Sequence, residues 1–227
     1  MVAENIKSGV DIFGVVGSLD TGGEDELVAR TLTSYTNDRV RKIGSYAFHS
    51  CATLTVANFP AATTIAFNAF TYCSNLTTIN FPVATDINNS AFYYCSNLTT
   101  ISFPAARTIA VNAFTYCSNL TTINFPVATN INNSAFAYCD KLTVASFPAA
   151  TNIDNSAFAR CYNLKSLYLT GSSLCKLSNS NAFTSTPIGG YSTSAGTYGS
   201  IYVPKSLLTS YKNATNWTYF SRRFVGI

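Results

Sequence analysis

The chain has 227 residues, of which 47% are hydrophobic and only 11% charged, with a formal net charge of +4. That length can bury a sizeable core, yet the charge content lies far below the globular norm of about 25%. The positive excess sits at the ends, at Arg39, Arg41 and Lys42 and at Lys205, Lys212, Arg222 and Arg223. No run of five basic residues occurs, which argues against nucleic acid, and no apolar stretch approaches the ~18 residues of a membrane span.

Residues 1–42 have no internal period and read as an N-terminal cap. Asp11–Phe13 and Val15–Leu19 are predicted strands, with Gly14 and Gly17 at the turns. Leu27–Lys42 alternates well enough for a strand or an irregular first coil. The opening MVAENIKSGV has no apolar signal region of 7–15 residues. The expectation is a protein used without a secretory signal or trimmed from a longer precursor.

Residues 43–169 are six copies of one unit. Ala69–Pro82, AFTYCSNLTTINFP, returns at Ala91–Pro104 and Ala113–Pro126, with looser copies from Ala47, Ala135 and Ala157. The period is constant and is marked by Cys51, Cys73, Cys95, Cys117, Cys139 and Cys161. A fixed period of this size means a solenoid, each copy one coil stacked on the last. The coils start at Ile43, Ile65, Ile87, Ile109, Ile131 and Ile153. In Ile65–Asp86, Leu76, Ile79 and Phe81 have the spacing of a leucine-rich-repeat strand, and Thr78 and Asn80 alternate to the outer face. Pro82 ends the strand. Ala69, Phe70 and Cys73 return the chain along the other wall as a helical or 3₁₀ turn. Asn68, Ser90, Asn112, Ser134 and Ser156 precede that turn as expected N-caps. A longer period of two coils overlies the first: Ile65–Asp86 and Ile109–Asn130 agree at 20 of 22 positions. It points to duplication of a two-coil block.

Residues 170–227 break the pattern and read as an irregular last coil, a loop and a helical cap. Asn181–Phe183 revives the turn motif, with Thr186 in the place of the cysteine. Gly189–Ser200 reads as a mobile loop. Ser200–Pro204 restores a strand, and Lys205–Ser221 is predicted as a helix. Leu207, Leu208, Tyr211, Trp217 and Phe220 would cover the last coil, with Trp217 as anchor.

The repeated pattern IxxxAFxxCxxLxxIxFPxAT over Ile43–Leu169 resembles the BspA-type leucine-rich repeat of bacterial surface and secreted proteins. The ending YVPKSLLTSYKNATNWTYFS is similar to that family's terminal cap. The opening AENIKSGVDIFGVVGSL resembles a short segment of phage and prophage tail proteins. The tyrosine before cysteine in four coils departs from the small residue common in the family. The first resemblance implies adhesion or recognition at an extracellular or cell-surface location, and it supplies no catalytic residues. The second implies, as an alternative, a structural or receptor-binding part of a prophage tail or fibre.

The chemistry-bearing residues are few. His49 is the single histidine, which leaves a triad one possible base. No phosphate-binding glycine motif occurs, and paired carboxylates are nearly absent from the repeats. Six cysteines at one repeat position form a ladder. Their parallel Cβ vectors fit disulfide torsion poorly, and their spacing is not that of a zinc site, so they are expected as buried free thiols. The reading is a non-enzyme with no cofactor. Two surfaces remain as candidates for a protein or carbohydrate partner. The strand face presents Thr78, Asn80, Thr100, Ser102, Thr122 and Asn124, edged by Thr77, Thr99 and Thr121. It is either a solvated β surface or a concave binding face. The second surface is the column Tyr72, Tyr94, Tyr116 and Tyr138, joined by Tyr93 and Tyr162. It is either coil-to-coil stacking or an aromatic stripe for ligand contact.

Overall fold

The structure, a computed structural model, describes residues 33–190 and 198–227. The strands expected at Asp11–Phe13 and Val15–Leu19, and most of the Gly189–Ser200 loop, lie outside those residues.

Each coil has three walls. The first is a three-residue strand, Thr78–Asn80 in the type coil. The second is a two-residue strand, Asp86–Ile87 at the matching corner. The third is the turn segment Asn68–Cys73. All strand pairing is parallel and advances by one coil, as in Val56↔Thr78 and Thr64↔Asp86. The two-residue strands make one continuous seven-stranded ladder from Lys42–Ile43 to Lys176–Leu177. This second ladder has no signature longer than Thr-Ile or Asn-Ile, too short for a periodicity argument to find. The strand Ser34–Thr36 pairs with Val56–Asn58, so the ladder begins before the first clear repeat.

The predicted alternation holds. Leu76, Ile79 and Phe81 point into the column and are buried, while Thr78 and Asn80 are exposed. The core is one continuous column. Two phenylalanine stacks run through it. Phe48, Phe70, Phe92, Phe114, Phe136, Phe158 and Phe183 lie under the turn wall with rings within 2–6° of parallel. Phe59, Phe81, Phe103, Phe125 and Phe147 lie under the strand wall. Burying such a ring contributes about 1.5–3 kcal/mol, repeated in every coil. The six ladder cysteines and Cys175 form no disulfide and are buried. Five of the ladder thiols donate to the phenylalanine carbonyl of the preceding coil, from Cys73 Sγ to Phe48 O at 2.9 Å to Cys139 Sγ to Phe114 O at 3.3 Å. Cysteine suits this place as a small hydrophobe with one weak donor.

The turn wall differs from the expected capped helix. Asn68, Ser90, Asn112, Ser134 and Ser156 stand at φ of +55 to +57°, and Tyr72, Tyr94, Tyr116 and Tyr138 at +60 to +63°. An N-cap residue is extended, so these residues are not N-caps. Left-handed backbone costs about 1–2 kcal/mol in a non-glycine residue. Here it aims the peptide N–H at the next coil: Asn68 N–H donates to Asn89 O at 3.2 Å, and Tyr72 N–H to Tyr93 O at 2.8 Å. Cross-coil hydrogen bonds take the place of a cap.

The strand wall is interrupted. Thr100–Ser102 keeps only an isolated bridge, Thr100 to Thr122, so the sheet divides into three-stranded and five-stranded parts. Ring spacing shows the same opening. Between the coils of Phe92 and Phe114, equivalent rings lie 6.0 Å apart under the strand wall, 5.2 Å under the turn wall and 4.7 Å in the tyrosine column. The next pair of coils gives 5.7, 5.3 and 4.3 Å. Under the strand wall the widest ring spacing, Phe103 to Phe125, thus falls at the interruption.

The C-terminal helix is broken. Lys205–Leu207 is 3₁₀, Leu208–Asn213 is α-helical, and Trp217–Arg223 is 3₁₀ again, with Asn216 at φ +63° between them. The break positions side chains that stand in for a missing next coil. Trp217, fully buried, donates Nε1–H to Cys175 O at 2.7 Å. Tyr211 accepts from the Cys175 N–H at 3.0 Å. Asn216 Nδ2 donates to Leu177 O and Ser178 O at 2.9 and 3.0 Å. These bonds satisfy backbone groups on the last edge strand that would otherwise invite another chain.

Candidate functional site

The turn wall brings Tyr72, Tyr94, Tyr116 and Tyr138 into one row. Successive ring centroids are 5.4, 4.7 and 4.3 Å apart, with interplanar angles of 41, 36 and 25°. The His49 ring meets Tyr72 edge-on at 5.8 Å at one end, and the Arg160 guanidinium lies 5.0 Å from the Tyr138 centroid at the other. Tyr93 joins from beside the row, edge-on to Tyr72 and Tyr116. Tyr162 falls in the repeat row of Ser74, Ser96 and Ser118. Tyr72 and Tyr94 are 46% and 41% exposed, while Tyr116 and Tyr138 are half-buried. Tyr116 and Tyr138 stack on one another, while Tyr72 and Tyr94 stand tilted in the row. The Tyr116 phenol is held above its ordinary pKa, first by a hydrogen bond with Tyr138 and then by burial. At neutral pH the row is uncharged at Tyr116 and offers donors and acceptors together.

On the strand wall, Thr78, Asn80, Thr100, Ser102, Thr122 and Asn124 are all exposed. Part of their capacity is used within the solenoid: Asn80 Nδ2 donates to Asn58 Oδ1 at 2.7 Å. The edge threonines serve the ladder too, with Thr77 Oγ1 donating to Thr55 O at 3.1 Å and Thr121 Oγ1 to Thr99 O at 3.4 Å. Sequence reasoning missed a third feature. Toward the C-terminus the outward position of Asn124 and Ser146 is taken by Tyr168 and Tyr202, stacked at 4.5 Å and 9°. Their periodic position was readable, but Tyr202 belongs to a strand shifted by an insertion, which hides the register.

Among the described residues His49 and Asp140 stand apart from one another. His49 hydrogen-bonds Ser50 Oγ at 2.9 Å. Burial raises the pKa of the Asp140 carboxyl, whose Oδ1 has no partner, but no second carboxylate stands in its repeat row. Burial pushes the Cys73, Cys95, Cys117 and Cys139 thiols far above their ordinary value and Cys175 up to about 12. Such thiols are not nucleophiles at neutral pH. Among the described residues no group of three or more histidine, cysteine or acidic side chains forms a metal site. Among the same residues no helix is long and apolar enough to cross a membrane.

Stacked parallel coils with a repeat-built surface define a leucine-rich-repeat solenoid, a class of non-catalytic binding modules. The chain belongs to the family described as the BspA type leucine rich repeat region, matched in six copies over residues 32–143 and 85–196. Among solved structures it is similar to a leucine-rich-repeat protein of T. pallidum at 23% identity and a TM-score of 0.61, covering 75% of each chain. It is also similar to a leucine rich cell surface protein of Faecalibacterium prausnitzii, at 34% identity and a TM-score of 0.55, over 63% of this chain and 39% of that one. A leucine-rich repeat protein of Bacteroides ovatus matches at 27% identity and a TM-score of 0.57, over 74% of this chain and 48% of that one. The chain thus spans less than half the length of the last two. No curated protein matches it.

Proposed function

We propose that the protein is a recognition or adhesion module of a bacterial surface that holds a protein or glycan partner along its tyrosine row. The observation that carries this reading is the row itself. Four neighbouring tyrosine rings recur at one position in successive coils, two of them more than 40% exposed. The turn wall around them carries little charge, so contact rests on shape, hydrogen bonds and aromatic area rather than long-range steering. A repetitive partner meets several tyrosines at once, and weak contacts add through effective concentration. A receptor-binding part of a phage tail would use the same row, and neighbouring tail or lysis genes would identify that setting.

The test is a screen against a glycan array and surface proteins, followed by Tyr94→Ala with Tyr116→Ala. We expect the double variant to lose most of the binding while its melting midpoint moves little. Unchanged binding to the ligand found would move the site to Thr78, Asn80 and their copies.

A further inference from the structure

Charge is unevenly placed along the chain. From Lys141 onward there are eight lysines and arginines against one aspartate, Asp154. Part of this excess converges on the strand wall, where the outward rows change from amides and hydroxyls to the stacked pair Tyr168 and Tyr202. Lys165 leads directly into the strand Ser166–Tyr168 and is exposed. The pairing of Ile201 with Phe224 places Arg223 beside Ser200, level with the start of the same strands. The Arg223 guanidinium lies 3.8 Å from the centroid of Tyr198, a ring that is itself 55% exposed. Among the described residues no aspartate or glutamate stands in the outward rows of this sheet.

The ring pair is also preorganised. Stacking at 4.5 Å and 9° fixes both side chains, so a ligand meets rings whose rotamer freedom is already lost. Tyr168 is followed on one side by Tyr202 and on the other by Ser146. Neighbouring strands are about 4.8 Å apart, and a serine reaches no further than its Oγ. The outer part of the Tyr168 face on that side therefore stands above the polar row of Ser146 and Asn124. An aromatic face beside hydroxyl and amide groups, with Lys165 at the start of its strand, Arg223 beyond Tyr202 and no acid, matches a chain of sugar rings that carry carboxylates. One ring packs on Tyr168, its hydroxyls meet Ser146 and Asn124 and its carboxylate pairs with Lys165, while a neighbouring unit of the same chain reaches Arg223.

We propose that the C-terminal end of the strand wall, built by Lys165, Tyr168, Tyr202 and Arg223, is a binding site for uronic-acid-bearing polysaccharide. It is separate from the tyrosine row of the turn wall and does not depend on it.

The experiment titrates the full chain with oligomers of polygalacturonate and of alginate, and with fully methyl-esterified polygalacturonate as the uncharged control. The expected result is binding of the acidic oligomers, weakened by added salt as solvent-exposed pairs are screened, with the ester at least about tenfold weaker. Tyr168→Ala with Tyr202→Ala should lose about tenfold, and Tyr168→Phe with Tyr202→Phe should keep the affinity, since the ring and not the phenol is used. Lys165→Glu with Arg223→Glu should abolish the preference for acid over ester. Tyr94→Ala with Tyr116→Ala should leave this binding unchanged, which separates the two sites. Failure of both acidic oligomers to bind, equal affinity for acid and ester, or full retention in the Tyr168 and Tyr202 alanine pair would each overturn the proposal. If the alanine pair does not fold, the charge-reversal pair and the ester control still decide it. Equal binding of polyglutamate by the wild type and the charge-preserving alanine pair would reduce the site to charge alone and also overturn it.

Discussion

The strand wall and the turn wall solve the same problem with different chemistry. Each must bond every coil to the next. The strand wall uses unstrained extended backbone, yet its sheet is interrupted at Thr100–Ser102. The turn wall places two left-handed non-glycine residues in each regular coil, yet its cross-coil bonds continue through the same coils at 2.8–3.2 Å, from Asn68 to Asn112. Local conformational strain thus predicts the weak place badly. The strand wall loses its bonds at Thr100–Ser102 while the strained turn wall keeps its own through the same coils.

The largest expected effect concerns what both walls enclose. Five buried thiols have raised pKa values, chiefly through burial. Unfolding lets them ionise at the ordinary value of about 8.5. The folded state then binds more protons than the unfolded one, so stability is complete below that value and falls as pH rises above it. Each thiol costs about 1.4 kcal/mol per pH unit, or about 7 kcal/mol for five within a unit. Denaturant melts at rising pH should show a steep loss between about pH 8.5 and 10. A flat profile would mean the thiols are not sealed inside.

Next in size is a contrast between inside and outside. Phe114→Ala removes a ring stacked on Phe92 and Phe136 and should cost about 3–5 kcal/mol. Thr122→Ala, on the exposed strand face, should stay within about 0.5 kcal/mol. Similar losses for both would reverse the assignment of the faces.

Smaller still is the relief of strain on the turn wall. Ser134 stands at φ +56° and donates its N–H to Asn155 O at 3.1 Å. Ser134→Gly should raise stability by about 0.5–1 kcal/mol, because glycine takes this conformation freely while the backbone bond is kept. A loss would show that the serine side chain contributes more than its backbone strain costs.

The subtlest test reads the interruption itself. The N–H groups of Phe59, Phe125 and Phe147 donate across the coils to Asn80, Ser146 and Tyr168. Among the described residues, those of Phe81 and Phe103, at the interruption, make no such bond. Hydrogen exchange should be faster at Phe81 and Phe103 than at the other three. Uniform protection would mean that the strand wall is continuous in solution.

The sequence by itself determined the solenoid, its period, the burial of Leu76, Ile79, Phe81 and Cys73, and the row of tyrosines. Each of these follows from repeats that place equal side chains at equal heights, which needs no knowledge of distance. It also reached the anchoring role of Trp217, since a lone large aromatic beyond the last coil has one apolar surface to cover. Tertiary structure decided the rest. Whether Asn68 caps a helix or turns its N–H to the next coil depends on a carbonyl in that next coil, at Asn89. Whether Tyr168 meets Tyr202 depends on register across an insertion. Local pattern fixes which groups face which wall. Register and the exposure of a ring are set only when coils compete for the same space.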